Sequence, residues 1–352
     1  MPSHAKLRQL GELVGGTDTG TYNTANIGTV NFYYGTRTIN AGAKFIGTGT
    51  VLVSDEGSSK LLLNANQTIA NVNFASGTIT GTATLTVSGL FSWTGGTLIG
   101  PTNLVIAPTA TLAFGGVAAM VIDAATITNQ GTATWPLTGA LYVRNGATFN
   151  NVGTVLDSAD HTMTYNGGNG LTFNNTGTYT KTSGNGTTRL EVAFNNSGTV
   201  NIASGTLQLN GGGTDTGPYN LSAGTTLNYS YGTRTINAGA AFIGPGTVLL
   251  TDEGGASSIV PNVDVAIPNF VLSAGTLKGP NTVTVSGAFS FTGGTMQGPG
   301  AVTIGPAGTL AISGSNTRII DAYTILNQGT STWAGTGAFY VRNGAVFNNA
   351  GL

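Results

Sequence analysis

Short runs in which apolar and polar residues alternate recur along the whole chain. ATLTVSG (residues 83–89) and GTLQLNG (residues 205–211) are two examples. Because successive side chains of a β-strand point to opposite faces of a sheet, this alternation predicts strands with one buried face. Apolar residues such as Leu85 and Leu207 would then lie in a core, and the Thr, Ser and Gln residues between them would face outward.

A segment of the form Asn-x-Gly-Thr returns every 21 to 24 residues in the middle of the chain, with its glycine at Gly131, Gly153, Gly177 and Gly198. Repetition at this period, with short strands between Gly, Asn or Pro bends, is typical of stacked repeat architectures. The pattern therefore predicts an all-β fold, a parallel β-solenoid. A length of 352 residues corresponds to about 16 turns of roughly 22 residues.

A β-sandwich or a β-propeller is the competing fold. Tight Asn-Gly turns of the kind found in antiparallel hairpins occur at residues 145–146, 185–186 and 343–344. A propeller blade, however, needs about 40 to 50 residues, which is twice the period seen here. The spacing favours the solenoid.

The repeated segments predict how the solenoid turns its corners. Asn tolerates the left-handed backbone region, and stacked Asn side chains can hydrogen bond from one turn to the next. We therefore expect a structural ladder in which Asn residues pair, glycines supply positive φ angles and Phe residues stack inside. Its members are Asn151, Asn175, Asn196, Gly153, Gly177, Gly198, Phe149, Phe173 and Phe194. A row that contacts a glycan is the alternative interpretation.

A second and longer repeat covers most of the chain. GGTDTG begins at Gly15 and again at Gly212, and YGTRTINAGA begins at Tyr34 and again at Tyr231. Two copies of one module are therefore expected, at residues 15–153 and 212–352, within a single continuous solenoid. The stretch 154–211 between them is unduplicated but keeps the short repeat, which predicts further turns rather than a linker.

The two ends of the chain differ from its middle. Residues 1–14 hold apolar positions at helical spacing, and we expect a short amphipathic helix or an irregular arm that covers one end as a cap. The last residues, 351–352, fall within a repeat unit, which predicts a fragment of a longer polypeptide.

Composition excludes several classes of function. The chain has 12 Lys plus Arg, 13 Asp plus Glu and a net charge of −1, so it lacks the basic surface that nucleic-acid binding requires. It has no Cys and two His, which leaves few metal ligands, and no cofactor is expected. No apolar run of about 18 residues is present, so membrane insertion is not expected.

The chain resembles the β-helical repeat regions of large bacterial surface proteins, the autotransporter passengers and the filamentous-haemagglutinin-type adhesins. The phrases that carry the resemblance are SGTLQLNGGGTDTG (residues 204–217) and FTGGTMQGPGAVTI (residues 291–304). The resemblance implies a right-handed parallel β-helix and an extracellular adhesive or stalk role. The present sequence departs from that family in having neither a signal peptide nor a C-terminal translocator.

One cluster of residues is a candidate for catalysis. Asp157, Asp160 and His161 are the place where two carboxylates and an imidazole occur together, and parallel β-helices also support polysaccharide lyases and hydrolases. Lys181, Arg189 and Glu191 follow within two turns and would flank them. A solvated loop that replaces part of a turn is the structural alternative.

The remaining charged residues are mostly duplicated, which favours structural roles. Asp55-Glu56 and Asp252-Glu253 occupy equivalent turns, with calcium or sugar contact as the alternative. Salt bridges or backbone contacts are expected for six further residues. These are Arg37, Arg234, Arg144, Arg342, Asp123 and Asp321.

The sequence as a whole therefore predicts a non-enzymatic structural or adhesive region, located outside the cell or on a bacterial surface. Its predicted partners are other copies of itself, through head-to-tail or lateral assembly, or surface glycans. A polysaccharide lyase or hydrolase is the alternative.

Overall fold

The protein, described by a computed structural model over residues 10–25, 28–55, 58–136, 139–255 and 257–352, is all-β. It is a parallel β-solenoid of about 16 turns with about 21 residues per turn, which confirms the predicted fold class. No helix occurs among the described residues. The chain divides into two compact units, Met1–Thr178 and Tyr179–Leu352.

The first described residues of the first unit form a strand, where the sequence predicted a short amphipathic helix or an irregular arm. Residues 1–9 lie outside the described part of the chain, but Leu10–Leu13 is strand β1 and pairs in parallel with Thr29–Phe32. Residues 10–13 are therefore not helical, because a neighbouring turn offers that backbone a sheet to join. The strands that start in this unit are β1 (Leu10–Leu13), β2 (Gly16–Asp18), β3 (Thr21–Asn23), β4 (Thr29–Phe32), β5 (Thr36–Ile39), β6 (Lys44–Ile46), β7 (Thr50–Val53), β8 (Lys60–Leu63), β9 (Gln67–Phe74), β10 (Thr78–Gly81), β11 (Thr84–Trp93), β12 (Gly96–Ile99), β13 (Asn103–Ile106), β14 (Thr111–Phe114), β15 (Met120–Asp123), β16 (Thr126–Asn129), β17 (Thr132–Trp135), β18 (Leu141–Arg144), β19 (Thr148–Asn151), β20 (Thr154–Asp157), β21 (Thr162–Tyr165), β22 (Thr172–Asn175) and β23 (Thr178–Lys181).

The second unit repeats the same arrangement of three short strands per turn. Its strands are β24 (Thr187–Leu190), β25 (Ala193–Asn196), β26 (Thr199–Ile202), β27 (Thr206–Leu209), β28 (Gly213–Asp215), β29 (Pro218–Leu221), β30 (Thr226–Tyr229), β31 (Thr233–Ile236), β32 (Ala241–Ile243), β33 (Thr247–Leu250), β34 (Ser258–Pro261), β35 (Val265–Ala266), β36 (Phe270–Leu272), β37 (Thr276–Lys278), β38 (Thr282–Val285), β39 (Ala288–Phe291), β40 (Gly294–Gln297), β41 (Ala301–Ile304), β42 (Thr309–Ile312), β43 (Arg318–Asp321), β44 (Thr324–Asn327), β45 (Thr330–Trp333), β46 (Phe339–Arg342) and β47 (Val346–Asn349).

The register between turns places like residues above one another. In the first unit β16 pairs with β19 so that Ile127 lies beside Phe149, and β19 pairs with β22 so that Phe149 lies beside Phe173. In the second unit β27 pairs with β30 so that Leu207 lies beside Leu227. Because the side chains alternate, each such row is buried inside the turn, and the polar residues between them face outward.

Aromatic rings form a column inside the first unit. The ring of Trp93 lies 5.5 Å from that of Phe74 and 5.8 Å from that of Phe114, and Phe114 in turn lies 5.3 Å from Trp135. These residues are buried. Such stacking adds to the apolar surface that each turn removes from water.

The Asn-Gly turns lie at corners between strands and do not form hairpins. Asn145 and Gly146 have φ angles of 55° and 79°, the left-handed pair that a tight turn requires. They connect β18 to β19, and each of these strands pairs in parallel with strands of neighbouring turns. The sequence therefore predicted a tight turn at Asn145-Gly146, but this turn forms a corner of the solenoid and not a hairpin.

The corner glycines act by a different mechanism from the one predicted. Gly153 and Gly177 do not have positive φ angles. Instead, a Cβ atom on Gly153 would lie 2.1 Å from the carbonyl oxygen of Gly131, and one on Gly177 would lie 2.1 Å from that of Gly153. Glycine is required there because the backbones of successive turns approach each other too closely for any side chain.

Candidate functional site

The predicted catalytic residues Asp157 and His161 lie inside the first unit. Asp157 ends strand β20 and is fully buried, and its Oδ1 atom lies 3.5 Å from Nδ1 of His161. The imidazole is itself buried and stacks on the indole of Trp135, with 4.2 Å between ring centroids. The pair therefore continues the aromatic column of the core.

Asp160, in contrast to Asp157 and His161, is exposed at the surface. Lys181, in the second unit, is buried and donates hydrogen bonds to the carbonyl oxygen of Ser183 (3.2 Å) and to Oγ1 of Thr188 (3.1 Å). Catalysis on a polysaccharide requires an acid and a base that can reach the substrate. The geometry gives Asp157 and His161 no such access.

The Asn residues at the corners of the first unit form a buried chain of hydrogen bonds. Nδ2 of Asn129 donates to Oδ1 of Asn151 (2.9 Å), and Nδ2 of Asn151 donates to Oδ1 of Asn175 (2.7 Å). Nδ2 of Asn151 also donates to the carbonyl oxygen of Thr178 (3.0 Å). The Phe149 and Phe173 rings stack beside this chain at 4.8 Å. Asn129 and Asn151 thus each bind the Asn of the next turn and also donate to a backbone carbonyl there.

In the second unit the third set of ladder residues lies in the same kind of corner. Asn196 is buried, and its Nδ2 atom lies 3.5 Å from the carbonyl oxygen of Pro218. Phe194 is buried. The carbonyl oxygen of Gly198 would lie 2.0 Å from a Cβ atom on Gly217, so the close approach of turns recurs here.

Outward-facing Asn residues also pair along the solenoid. Asn174 donates to Asn150 (2.9 Å) in the first unit, and Asn220 donates to Asn201 (2.8 Å) in the second. These half-buried amides form polar rows on the outside of the turns.

The duplicated Arg residues at the Asn-Gly corners bind carboxylates one turn earlier, as expected for salt bridges. Nε of Arg144 lies 2.9 Å from Oδ2 of Asp123, and Nη2 of Arg342 lies 2.9 Å from Oδ2 of Asp321. Asn343 donates to the second oxygen of Asp321 (2.6 Å). The hydrogen bond from Asn343, together with Arg342, lowers the pKa of the Asp321 carboxyl below its ordinary value of 3.8.

The other duplicated Arg forms a buried polar cluster in the second unit. Arg234 donates to both oxygens of Asp215 and to the hydroxyl of Tyr219 (2.8 Å), and these side chains are fully buried. It also donates to the carbonyl oxygens of Phe194 and Gly212, so it binds backbone of two earlier turns. Burial on its own lowers the pKa of Arg234, but Asp215 and the nearby phenols raise it above its ordinary value. The guanidinium therefore stays charged inside the core.

The first module copy contains the matching residues in a more open setting. Arg37 donates to both oxygens of Asp18 and to the hydroxyl of Tyr22 (3.1 Å). The Arg37 and Asp18 side chains are 18% and 13% exposed, against 1% and 0% for Arg234 and Asp215. Burial is nevertheless the largest cause that raises the pKa of Tyr22.

Three charged side chains meet on the outside of the second unit, and two of them, Arg189 and Glu191, belong to the unduplicated stretch. Nε of Arg189 lies 2.8 Å from Oε1 of Glu191, and Nη1 of Arg189 lies 2.6 Å from Oε2 of Glu253. All three side chains remain partly exposed. The guanidinium is thus held between two carboxylates at the surface.

The loop that carries Glu253 covers part of the outer sheet face. Gln208 faces outward on β27 but is buried. Its Nε2 atom donates to Oε1 of Glu253 (2.8 Å) in this loop and to Oγ of Ser230 (3.0 Å). The ring of Tyr231 packs against the same loop: a Cβ atom on Gly254 would lie 2.9 Å from its Cε2 atom. Tyr231 remains 44% exposed. We call Arg189, Glu191, Gln208, Tyr231 and Glu253 the Glu253 surface.

Sequence reasoning found only part of this surface. It singled out Arg189 and Glu191, with Lys181, as residues that would flank Asp157, Asp160 and His161, and it assigned Asp252 and Glu253 to a turn. Oδ1 of Asp252 does accept hydrogen bonds from the backbone N–H groups of Gly255 (2.8 Å) and Ser257 (3.2 Å), as a turn residue would. The equivalent Glu56 lies outside the described residues. What could have indicated the surface is that Arg189 and Gln208 occupy outward positions in register on adjacent strands.

Two kinds of site are absent from the part of the chain that the structure describes. It contains no group of three His, Cys, Asp or Glu side chains arranged to hold a metal ion. It also contains no helix with the length and apolar character needed to cross a bilayer.

Comparison with known protein families, with curated proteins and with solved structures finds no significant match.

Proposed function

We propose that this chain is a structural or adhesive repeat region of a bacterial secreted or cell-surface protein, which acts as a stiff stalk or filament with weak polar contact surfaces. The observation that carries the proposal is the inter-turn bonding of the interior, best seen in the Asn129–Asn151–Asn175 chain of hydrogen bonds. Parallel backbone pairing and buried side-chain bonds act in the same direction, along the stack of turns. They would resist the separation of one turn from the next.

The chemistry of the outer faces is consistent with an adhesive role. Only 7% of the residues are charged, and the outer rows consist mostly of Thr, Asn and Ser. Such faces offer many hydrogen-bonding groups but little net charge and so only a weak electrostatic field. A partner would therefore be held by several weak contacts. Autotransporter passengers and filamentous-haemagglutinin-type adhesins, which the sequence resembles, set the expected location outside the cell. Assembly of copies end to end or side by side is a further part of this proposal.

Mechanical unfolding of single molecules held by their termini tests the stalk. We expect force peaks separated by about 70 Å, the extended length of one 21-residue turn, or by multiples of it. Extension without a force peak would contradict a load-bearing role. Labelling of intact producing cells with an amine reagent that cannot cross membranes tests the location, and labelling only after lysis would contradict it.

The enzymatic alternative is tested separately by assays for new reducing ends and for unsaturated products on a panel of polysaccharides. We expect no activity. Activity that is lost in Asp160→Asn would replace the stalk with a polysaccharide lyase or hydrolase.

A further inference from the structure

The Glu253 surface combines groups that a purely structural turn does not need. The equivalent corner in the first module copy keeps the turn carboxylate, Asp55, which accepts a hydrogen bond from the backbone N–H of Ser59 (2.9 Å). It also keeps an exposed tyrosine, Tyr34. Arg189, Glu191 and Gln208 lie in the unduplicated stretch, so the module repeat does not copy them. The hydrogen bond of the turn carboxylate therefore forms in a copy that does not repeat those three residues.

From this geometry we propose that the Glu253 surface binds a neutral glycan. A pyranose ring would stack on Tyr231, and its hydroxyl groups would donate hydrogen bonds to Glu253 and Glu191 and accept them from Arg189. This inference names a ligand class for the adhesive role in the proposed function, and it rests on that role.

The polar groups of the Glu253 surface are placed to form hydrogen bonds with the hydroxyl groups of a sugar. The Glu253 carboxylate accepts one hydrogen bond from Gln208 and one from Arg189, while an ionised carboxylate offers about four acceptor positions. Its side chain is 40% exposed, so further acceptor positions face solvent. Because Arg189 and Gln208 fix the carboxylate, little side-chain entropy would be lost when a ligand binds.

The aromatic side chain supplies the apolar half of the site. Tyr231 is held against the Gly254 backbone on one side and remains substantially exposed. An aromatic ring with one apolar surface and a polar tip is suited to a partner that is part apolar and part wet, and the C–H face of a sugar ring is such a partner.

The charge of the surface selects among ligand classes. Two carboxylates and one guanidinium give a net charge of −1, which disfavours acidic glycans and nucleic acid. A basic peptide would meet Arg189 between the two carboxylates. A neutral ligand is repelled neither by the carboxylates nor by Arg189. It can form hydrogen bonds with the donor groups of Arg189 and with the acceptor oxygens of the carboxylates.

Binding of the full chain to immobilised oligosaccharides tests the proposal. The probes are neutral glucan, mannan and galactan oligomers, with polygalacturonate oligomers and oligolysine as the charged comparisons. We expect binding to at least one neutral oligomer and a loss of about tenfold or more in Tyr231→Ala, the size that removal of one stacking contact gives. Tyr231→Phe should retain binding, and Glu253→Gln should weaken it with the fold unchanged.

The first module copy provides a matched control. Tyr34→Ala removes the equivalent tyrosine, which is 50% exposed and lies in the copy that does not repeat Arg189, Glu191 and Gln208, and it should leave glycan binding unchanged. Binding only to oligolysine or only to polygalacturonate, binding to no probe, or equal losses in Tyr34→Ala and Tyr231→Ala would each overturn the proposal. None of these results bears on the mechanical test, so the stalk and the site can fail independently.

Discussion

The two copies of the Asp-Arg-Tyr cluster contain the same three residue types at the same spacing, yet they occupy different environments. Asp18 and Arg37 keep contact with solvent, whereas Asp215 and Arg234 are fully buried. Both clusters reach a backbone carbonyl one turn earlier, that of Val14 for Arg37 and that of Gly212 for Arg234. The second cluster gains the carbonyl of Phe194 and also a tyrosine hydroxyl, because Tyr229 stands where the first copy has a phenylalanine. What a repeated residue contributes therefore depends on the turns that cover it.

Solvent exposure determines how much each Asp–Arg ion pair contributes to the free energy of unfolding. An exposed ion pair contributes about 0 to 1 kcal/mol, because water screens it. A buried pair is held in a low dielectric, and the loss of one partner leaves the other charge buried and uncompensated, which costs about 3 to 5 kcal/mol. The same substitution in the two copies should therefore have unequal effects.

The largest expected effect is that of Asp215→Asn. It leaves the Arg234 guanidinium in the core without its counter-ion, and we expect the free energy of unfolding of the second unit to fall by about 3 to 5 kcal/mol. Asp18→Asn should cost about 1 kcal/mol or less in the first unit. Urea denaturation followed by circular dichroism measures both, and equal losses would show that burial does not separate the copies.

The duplicated tryptophans extend the comparison to apolar residues. Trp135 is 1% exposed in the aromatic column, while its counterpart Trp333 is 57% exposed. Trp135→Ala should destabilise by about 3 to 5 kcal/mol, because it opens a cavity in a packed core. Trp333→Ala should cost about 1 kcal/mol. A loss in Trp333→Ala as large as that in Trp135→Ala would mean that Trp333 is covered in solution.

A smaller effect is expected at the corner glycines. Gly153→Ala places a Cβ atom against the Gly131 carbonyl, so the two turns must move apart, at a cost of about 1 to 3 kcal/mol. Gly115→Ala is the matched control, because no atom lies within 4 Å of its added Cβ. Thermal unfolding of the two variants should separate them, and similar midpoints would contradict the steric explanation.

The smallest expected effect concerns pH. The folded pKa of Asp321 is lowered, so its contribution to stability is present above 3.8, the ordinary value, and is lost as pH falls through the folded pKa. The stability difference between the unchanged protein and Asp321→Asn should therefore shrink as the solution is acidified below 3.8. A difference that stays constant over that range would rule out the ion pair as its source.

The sequence predicted the fold because the local alternation specifies which face of each strand is buried. At Asp157 the polarity of the residues and the alternation of the strand disagree. Polarity suggests that Asp157 faces solvent and Leu156 faces the core, but alternation buries Asp157 and exposes Leu156. Sequence reasoning also assigned positive φ to Gly153, since the distance between turns is not written in local composition. The contact between Arg189 and Glu253 joins residues far apart in the chain and depends on how a loop lies across three turns.

The most direct test of the comparison is a pair of double-mutant cycles, one for Asp215 with Arg234 and one for Asp18 with Arg37, each residue being changed to Ala. The coupling free energy is read from urea unfolding of the single and double variants. We predict about 3 kcal/mol for the buried pair and about 1 kcal/mol or less for the partly exposed pair. Equal coupling in the two copies, or stronger coupling between Asp18 and Arg37, would contradict the claim that the covering turns determine what a repeated residue does.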